Sequence, residues 1–359
     1  MLQGFLTPIM TLLIKEHVPL APMTTMRVGG NARFFARIKS LTDLRNGVAF
    51  ARSQNVPIFV LGGGSNMLVP SKGFPGLVLK IEFKGISYEE DGSSICVITG
   101  AGEVWDDLVR DAVARGLWGI ENLSLIPGTT GGAVVQNIGA YGVEARDSIV
   151  WVEAFDTQTM KIKKFSRDEC SFGYRESIFK KNNNLIVVRA AFDLVRDGTP
   201  HIEYQDVKTF FTERKGISLW PSHESADSPS LSNIREAIVA IRTSKMPSSR
   251  LGTAGSFFKN PVVSAEELAR LKTTYPEIKA YLQGDGTVKL SAAWLLDKIG
   301  GFRGYRVGDA GTYEHQALVL VNYGTATTEN ILSLAHEIKN IIKEKTNVTL
   351  EEEVVMMKV

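Results

Sequence analysis

A short segment near residue 256 carries side chains whose types and order are suited to chemistry. It reads Gly255-Ser256-Phe257-Phe258-Lys259-Asn260-Pro261. The serine hydroxyl can donate a proton or attack as a nucleophile, and the preceding glycine permits close approach to a ligand. Ser-x-x-Lys is also the nucleophile motif of penicillin-binding enzymes, but the Lys-Thr-Gly element that they need is absent from this chain. A serine in a turn before two core phenylalanines is the simpler alternative, and the segment alone leaves these interpretations open.

Three glycine-rich clusters occur in the first 142 residues: Arg27-Val28-Gly29-Gly30, the turn 62–66 and the stretch 127–142. Glycines let the backbone approach a ligand and direct N–H groups at an anion. One such cluster is more often a plain turn, but three favour a large ligand such as a dinucleotide. Neither Gly-x-Gly-x-x-Gly nor Gly-x-x-x-x-Gly-Lys-Ser/Thr occurs, so a Rossmann domain and a P-loop are both unsupported.

The elements that must position these residues follow from apolar spacing, caps and β-branched content. Helices are predicted over 41–53, 105–115, 233–243, 264–273, 292–299 and 329–344. Strands are predicted over 57–61, 76–81, 95–99, 150–155, 185–194, 318–322 and 348–358. The stretch 219–232 is predicted to be an exposed loop. The stretch 123–142 has no clean period, and a loop of that length in a compact domain is either functional or a sign of a missed element. The mixture indicates an α+β fold without regular βαβ alternation.

Composition limits the classes of function. A net charge of +2 over 359 residues is too balanced for a protein whose main partner is nucleic acid. No stretch reaches the roughly 20 apolar residues that span a bilayer, and no signal peptide is recognisable. Cys96 and Cys170 have no metal or disulfide pattern, and the five histidines have no ligand spacing, so no metal site is predicted. We therefore expect a cytoplasmic protein without a membrane, nucleic-acid or obligate protein partner.

The glycine clusters and the Ser256 segment, with four other motifs in the same order, resemble the UDP-N-acetylenolpyruvoylglucosamine reductase (MurB) family over residues 23 to 353. The other motifs are the Arg175 segment Phe-Gly-Tyr-Arg-Glu-Ser-Ile-Phe, Ile126-Pro127-Gly128, the run beginning at His315-Gln316, and Leu350-Glu351-Glu352-Glu353-Val354. An ordered series of motifs is far more specific than any one of them.

The resemblance implies a two-part FAD-binding domain of the vanillyl-alcohol-oxidase type and a smaller α+β substrate-binding domain. The first FAD-binding part is expected over residues 1–92 with the strand 350–359, the second over 93–245, and the substrate-binding domain over 246–349. The resemblance also implies FAD as cofactor and NADPH as hydride source. The implied reaction is reduction of the enolpyruvyl group of UDP-N-acetylglucosamine enolpyruvate to give UDP-N-acetylmuramate for the cell wall.

Such a reduction adds a hydride from reduced flavin to one carbon and a proton to the carbon bearing the carboxylate, while negative charge spreads into the carboxylate. Ser256 resembles the proton donor of the family. Arg175 resembles the arginine that holds the substrate carboxylate. Register places the third catalytic role on Glu353, although strand alternation excludes only Glu352 and leaves Glu351 open.

Binding residues follow by the same matching. The expected cofactor contacts are Arg27, Gly62, Gly63, Gly64, Ser65, Asn66, Ile126, Pro127, Gly128, Gly131, Gly132, Asn137, Gly139, Gly142 and Arg242. The expected substrate contacts are Tyr174, Tyr204, Lys245, Asn260 and Gln316. Tyr204 resembles the nucleotide-stacking tyrosine of the longer, loop-bearing (type I) members, so we expect that form.

Two departures from the family are visible. Gly132 and Ala133 stand where some loop-bearing members have serines, which would leave pyrophosphate contacts there to backbone N–H groups. The insertion 219–232 has no counterpart that we can place. An FAD-dependent alcohol oxidase of the same fold and a non-enzymatic flavin-binding module remain as alternatives.

Overall fold

The computed structural model describes residues 12–92, 94–213, 229–248 and 250–358. In chain order the first elements are β1 (Ile14–Pro19), β2 (Asn31–Ile38), α1 (Leu41–Ser53), β3 (Ile58–Leu61), β4 (Met67–Leu68), β5 (Phe74–Ile81), β6 (Ile86–Asp91), β7 (Ser94–Gly100), α2 (Trp105–Ala114), α3 (Thr130–Gln136), β8 (Gly139–Ala140), β9 (Val143–Glu144), β10 (Ile149–Asp156), β11 (Lys161–Ser166), α4 (Ile178–Lys181) and β12 (Leu185–Val195).

They are followed by α5 (Gln205–Glu213), α6 (Leu231–Lys245), β13 (Gly252–Ser256), β14 (Val262–Val263), α7 (Ala265–Thr274), β15 (Ala280–Leu282), β16 (Val288–Leu290), α8 (Ala292–Trp294), which continues as a π-helix (Leu295–Ile299), β17 (Arg306–Val307), β18 (Ala310–Tyr313), β19 (Gln316–Asn322), α9 (Thr328–Thr346) and β20 (Val355–Met356). Short 3₁₀ helices cover Ala21–Met23, Glu121–Leu123 and Ala145–Asp147. Among the described residues, no helix combines the length and apolarity needed to cross a membrane.

The first sheet has the strand order β1-β2-β5-β3, with β2 and β3 parallel to β5. Helix α1 covers one face and buries Leu44, Val48 and Ala51, which recur at helical spacing. It begins at Leu41, as predicted, and is capped by Ser40, whose Oγ accepts a 3.1 Å hydrogen bond from the N–H of Asp43. Because β3 and β5 are parallel, their carboxyl ends lie side by side, and the glycine turn 62–66 follows directly from one of them.

The second sheet is antiparallel, in the order β11-β10-β12-β7-β6. Trp105 of α2 packs on Phe192 of β12 with ring centroids 5.7 Å apart, and both side chains are fully buried. This core is continuous with the α1 face of the first sheet. The glycine-rich stretch after α2 is therefore held between the two sheets.

A third sheet, in the order β13-β19-β18-β17, and a smaller one, β14-β16-β15, form the last part of the structure. Helix α9 buries Ile331, Leu334, Ala335, Ile338 and Ile342 against this part. Strand β13 lies at the edge of the third sheet next to β19, and the N–H of Thr253 donates to the carbonyl of Thr25 at 3.0 Å. The Ser256 segment is thus carried on an edge strand that faces the rest of the molecule.

The stretch 123–142 contains a missed element, the helix α3. The side chain of Thr129 caps this helix and accepts a 3.5 Å hydrogen bond from the N–H of Gly132. Two glycines and two valines lower its intrinsic helix propensity, which hides the helix from pattern reading. Ala133 and Val134 are buried in the main core, so tertiary packing stabilises a helix that the local sequence does not favour.

The prediction of a continuous strand over 348–358 is wrong. Only Val355–Met356 forms a strand, and it pairs in parallel with Met67–Leu68 of β4. Earlier in the segment, Glu352 forms an isolated bridge with Phe258. The segment passes from one partner to another rather than joining a single sheet, which apolar patterning cannot reveal.

The other predicted elements match the structure to within a few residues, and the α+β fold class is confirmed. Helix 233–243 begins earlier, at Leu231, because Ser230 and Asn233 form a reciprocal capping box. The predicted loop 219–232 therefore ends before its last two residues, and its residues 219–228 lie outside the described part of the chain.

Candidate active site

Ser256 is the last residue of β13, and its side chain is exposed. Gly255 before it has a φ of +77°, a conformation that favours glycine and turns the chain at this point. The next two residues, Phe257 and Phe258, are almost completely buried and anchor the segment. The Ser256 hydroxyl makes no hydrogen bond to any described residue, so it is free to act on a ligand.

The acidic run near the C-terminus lies along this segment. The N–H of Glu353 donates to the carbonyl of Phe257 at 2.8 Å, and that of Lys259 donates to the carbonyl of Glu351 at 2.9 Å. The three acidic side chains then diverge. Glu351 is 73% exposed and lies near Lys259, and Glu352 pairs with Lys339, whereas the Glu353 side chain is only 15% exposed.

Glu353 forms an ion pair with Arg175, in which Oε1 accepts from Nε at 2.8 Å. Nη2 of Arg175 donates to the carbonyl of Gly139 at 2.7 Å, and Arg175 has the left-handed φ of 58° that is unusual for a non-glycine residue. Its Nη1 group has no acceptor among the described residues. The structure thus brings Arg175 and Glu353 together beside the Ser256 segment, with one end of the guanidinium still unused.

Tyr174 and Asn260 also meet at this position. The Tyr174 hydroxyl accepts a 3.3 Å hydrogen bond from the N–H of Asn260, and burial raises the pKa of the phenol. The Asn260 side chain turns the other way, and its Oδ1 accepts from the N–H of Ala292 at the start of α8 at 2.9 Å. Lys289 places its ammonium 4.1 Å from the centre of the Tyr174 ring.

A second group of predicted contacts lies near Tyr204. Its ring packs edge-on against Tyr141 at 5.4 Å, and burial raises the pKa of both phenols. Asp206, two residues after Tyr204 in the chain, forms an ion pair with Lys245, in which Oδ2 and Nζ are 2.6 Å apart. Gln316 stands apart from this group at the start of β19, opposite Tyr313.

The glycine turn 62–66 lies directly against the second glycine cluster. A Cβ atom on Gly63 would stand 2.6 Å from Cα of Gly128, and Ser65 Oγ donates to the carbonyl of Pro127 at 2.9 Å. Gly64 has a φ of +69°, and a Cβ atom there would clash with the carbonyl of Met23 at 2.2 Å. Only glycine permits this contact of two backbones.

The N–H groups of residues 63 to 66 donate to no acceptor among the described residues. Four consecutive unused N–H groups in a turn form a concave donor surface of the kind that binds phosphate. Asn66 also connects this turn to the acidic run, since its Nδ2 donates to the carbonyl of Glu353 at 3.2 Å. The candidate anion site and the Arg175–Glu353 pair are therefore neighbours.

A cavity of about 780 Å³ opens beside the turn. Such a volume is within the range of cofactor sites. It is lined by Gly63, Gly128 and Thr129 together with Gly102, Val104 and Ile81 and the charged residues Lys39, Lys80, Glu82 and Lys84. Thr130 Oγ1 and Gln136 Nε2, on the adjacent helix α3, are buried and have no hydrogen-bond partner among the described residues. Free donors, close backbone approach and unsatisfied polar atoms fit a dinucleotide such as FAD.

The remaining predicted cofactor residues differ in whether their side chains already bond to other parts of the protein. Arg27 has a φ of 59° and donates from Nη1 to the carbonyl of Arg250 at 2.8 Å. Arg242 Nε donates to the carbonyl of Leu125 at 3.3 Å, and burial lowers the pKa of its guanidinium. Asn137 is fully buried, so its side chain supports the loop around it.

Both polar atoms of the Asn137 side chain bond within the protein. Its Nδ2 donates to Glu144 and to the carbonyl of Gly173, and its Oδ1 accepts from the N–H of Arg146. Gly131 packs on Ala101, Gly132 lies in the first turn of α3, and Gly142 has a φ of +87° with open space beside it. Ile126 is partly buried against the main core. Whether these residues contact a cofactor stays a prediction.

Sequence reasoning missed Lys80, which lines the cavity. A signal was present, because Lys80 is the one charged residue in the apolar run Leu77-Val78-Leu79-Lys80-Ile81 and it stands near the end of a predicted strand. A charged side chain at the carboxyl end of a parallel strand is well placed for ligand binding.

Comparison with known proteins places these features in a family. Residues 246–357 match the model of the C-terminal domain of UDP-N-acetylenolpyruvoylglucosamine reductase, and residues 32–165 match an FAD-binding domain. The chain is 43% identical to the UDP-N-acetylenolpyruvoylglucosamine reductase of Pseudomonas fluorescens (strain Pf0-1), over 96% of this chain and 99% of that protein. It is 40% identical to the enzyme of the same name from Pseudomonas aeruginosa, with the same coverage.

Among solved structures, it is similar to the UDP-N-acetylenolpyruvylglucosamine reductase (MurB) of Thermus caldophilus. The TM-score is 0.66 at 26% identity, with 97% of this chain and 100% of that chain covered. These relatives are reductases and do not favour the alcohol oxidase alternative. At this level of identity and coverage, the chain belongs to the UDP-N-acetylenolpyruvoylglucosamine reductase family.

Proposed function

We propose that this protein uses FAD and NADPH to reduce the enolpyruvyl group of UDP-N-acetylglucosamine enolpyruvate, giving UDP-N-acetylmuramate for peptidoglycan synthesis. The observation that carries the proposal is the position of the Arg175–Glu353 pair. It lies between a turn of unused N–H groups that fits FAD and a segment whose serine hydroxyl is free. When a hydride adds beside a carboxylate, a nearby cation stabilises the developing negative charge and a proton donor completes the reduction, and a flavin bound at the turn would supply the hydride.

The proposed chemistry divides between cofactor and protein. A bound FAD, once reduced by NADPH, would supply the hydride that adds to the terminal carbon of the substrate. Arg175 binds the substrate carboxylate through Nη1, which has no acceptor among the described residues, and stabilises the negative charge that develops there. Glu353 orients the guanidinium by accepting a hydrogen bond from Nε. Ser256 donates the proton to the carbon that bears the carboxylate.

The binding roles follow the same arrangement. We assign the FAD pyrophosphate to the turn 62–66 and to residues 126–132. Tyr174 and Asn260 line the substrate pocket where the two parts of the chain meet, and their hydrogen bond supports this assignment. Tyr204 and Lys245 bind the nucleotide end of the UDP-sugar, as in the loop-bearing form of the family, with Gln316 as a further hydrogen-bonding group.

Two broader assignments belong to the proposal. Residues 1–92 with 350–359, and 93–245, form the two FAD-binding parts, and 246–349 bind the substrate. The pairing of β20 with β4 supports the inclusion of the C-terminal residues in the first part. We also propose that the protein acts in the cytoplasm, since two cysteines in 359 residues are too few for the disulfide framework typical of secreted proteins.

The test uses the colour of the flavin. Purified protein should carry a yellow, noncovalently bound FAD that NADPH bleaches and that anaerobic addition of the enolpyruvyl UDP-sugar recolours. Bleaching without recolouring would sink the proposed reaction while leaving the flavoprotein in place.

Replacing Ser256→Ala should leave bleaching by NADPH unchanged and slow recolouring by about 10²- to 10⁴-fold, the usual contribution of a positioned proton donor. Ser256→Cys should restore part of the rate, because a thiol can also donate a proton. Ser53→Ala, an exposed serine at the end of α1, serves as the control. Recolouring of the Ser256→Ala protein at the normal rate would remove the serine from the mechanism.

A further inference from the structure

Lys80 occupies an unusual position in the first sheet. It lies near the carboxyl end of β5, in register with Leu61 of β3, and its side chain is half-buried. Its ammonium donates to the carbonyl of Gly62, the first residue of the glycine turn. The lysine therefore contacts the turn immediately before the four residues whose N–H groups are unused.

The charges around Lys80 leave its ammonium without a close carboxylate. Glu82 is the nearest candidate, but its Oε1 pairs with Arg37 at 2.5 Å. Lys84, which lines the same cavity, pairs with Glu103 at 3.1 Å. Within the described ranges Lys80 has no ion-pair partner, and burial lowers the pKa of its ammonium, an effect that Glu82 opposes and Arg37 reinforces.

The composition of the cavity wall points in the same direction. Of the three lysines that line the cavity, Lys84 is already paired with Glu103, and the glutamate of the lining, Glu82, is paired with Arg37, which leaves the charges of Lys39 and Lys80 to face an anion. In the part of the chain that the structure describes, the half-buried ammonium of Lys80 bonds only to a neutral carbonyl, so an added anion would stabilise it and offset its loss of solvation. The cavity is therefore suited to the negatively charged part of a ligand.

We propose that Lys80 is a cofactor-binding residue that pairs with the diphosphate of FAD and, through the carbonyl of Gly62, fixes the turn 62–66 in its phosphate-binding conformation. The backbone N–H groups and the ammonium then bind one anion together. The isoalloxazine ring carries no such charge, so Lys80 discriminates the ADP portion of the cofactor from the flavin ring. This inference rests on the placement of the FAD pyrophosphate at the turn in the proposed function.

The direct test is ligand binding to flavin-free protein, measured without turnover. Lys80→Met should weaken FAD and ADP to a similar extent, by about tenfold or more, since a charge-assisted hydrogen bond is lost. Riboflavin, which lacks the diphosphate, should bind as it does to the unaltered protein. Lys80→Arg, which keeps the charge, should stay within about threefold for all three ligands, on the same reasoning.

Lys84→Met is the matched control, because Lys84 lines the same cavity but is already paired with Glu103. It should change the FAD affinity by less than about threefold, as exposed pairs contribute little. Three results would overturn the proposal: unchanged FAD and ADP binding in Lys80→Met, an equal loss of riboflavin binding, or an equal effect of Lys84→Met.

A measurement on the unaltered protein guards against misfolding of the variants. Reductive methylation of flavin-free protein, followed by mass spectrometry, should label Lys80 several-fold more slowly in the presence of ADP and equally fast with riboflavin. The exposed Lys161 of β11 provides the internal reference. No protection by ADP would overturn the proposal. The fate of the enolpyruvyl substrate does not enter these experiments, so failure of the proposed reaction would be recognised separately.

Discussion

Arg175 and Glu353 are 178 positions apart in the chain, yet their side chains form an ion pair in which each orients the other. Two contacts, to Glu353 and to the carbonyl of Gly139, hold the guanidinium in one orientation. The left-handed backbone at Arg175 is the type of strain that a surrounding structure maintains at functional sites. The pair therefore acts as one unit when it meets the substrate carboxylate.

This coupling makes a prediction about a pair of substitutions. In Arg175→Lys, the single ammonium cannot bond to Glu353 and to the carbonyl of Gly139 at once. We therefore expect a higher KM and a lower kcat for the enolpyruvyl substrate. Glu353→Gln should lower kcat by about 10²-fold, a contribution typical of one stabilising group in the transition state. Flavin reduction by NADPH should change little in either variant, as measured by stopped-flow absorbance.

The double variant Arg175→Lys, Glu353→Gln distinguishes a coupled unit from two separate residues. We expect its loss in kcat/KM to be smaller than the product of the two single losses. Multiplicative losses would show that the ion pair has no shared function.

The acidic run also shows how far residue-level prediction reaches. Alternation in a supposed strand left Glu351 and Glu353 equally placed, and only the resemblance to the family favoured Glu353. In the structure the three glutamates have three different lysine or arginine partners, which lie in the segment after β13, in α9 and in the loop before α4. The partner of Glu353 is 178 positions away in the chain, so no local pattern could have identified it.

At the scale of elements, Asn260, which follows β13 and its two phenylalanines, connects Tyr174 to the start of helix α8. Asn260 donates its N–H to Tyr174, and its side chain accepts from the first N–H of α8. The start of a helix has N–H groups without intrahelical partners, and such a bond satisfies one of them. Asn260 therefore has a structural role in addition to the proposed contact with the substrate.

Two substitutions separate these roles. Asn260→Ala should lower the free energy of unfolding by about 1 kcal/mol, because the N–H of Ala292 loses its acceptor. Asn260→Asp keeps the acceptor and should change stability by less, while its added negative charge weakens binding of the UDP-sugar. Urea denaturation and substrate titration of both variants provide the check. Equal losses of stability would contradict the capping role.

The elements themselves were predictable where apolar spacing and caps agreed. Helix α1 with its Ser40 cap and helix α9 with its long buried stripe are of this kind. Helix α3 was missed because glycine and valine disfavour it locally, and only burial against β12 stabilises it. Strand order was not predictable either, because pairing joins residues far apart in the chain.

At the scale of the whole molecule, two large apolar cores flank the candidate site. One includes residues of the first two sheets, and the other those of the third sheet and α9, together with Met26, Val28 and Leu68 from the beginning of the chain. The glycines of the turn 62–66 lie where backbone approaches backbone, between residues 23–24 and residues 128–129. A cofactor bound there would contact several segments that are distant in the chain.

We therefore expect FAD to stabilise the native protein as a whole. At a free concentration 100 times the dissociation constant, binding contributes about 2.7 kcal/mol to the free energy of unfolding. The melting temperature of flavin-free protein should rise with FAD concentration, followed by circular dichroism, and riboflavin at the same concentration should give a smaller rise. A melting temperature independent of FAD would contradict the placement of the cofactor.

The ordered motifs of the chain predicted the family, and composition predicted the α+β class. They could not predict that the segment after residue 350 connects the glycine turn to the Ser256 segment. That connection depends on four hydrogen bonds, in which Glu353 and Val355 donate backbone N–H groups and Glu351 and Glu353 accept with their carbonyls.

This connecting segment has a consequence for synthesis of the protein. A ribosome makes the glycine turn and Arg175 long before Glu353, which stands 178 positions after Arg175. A nascent chain that has not yet extended past residue 353 lacks the carboxylate that orients the arginine and also the backbone groups that bond to Asn66 in the glycine turn. The candidate site is therefore completed only when the ribosome has made nearly the whole chain.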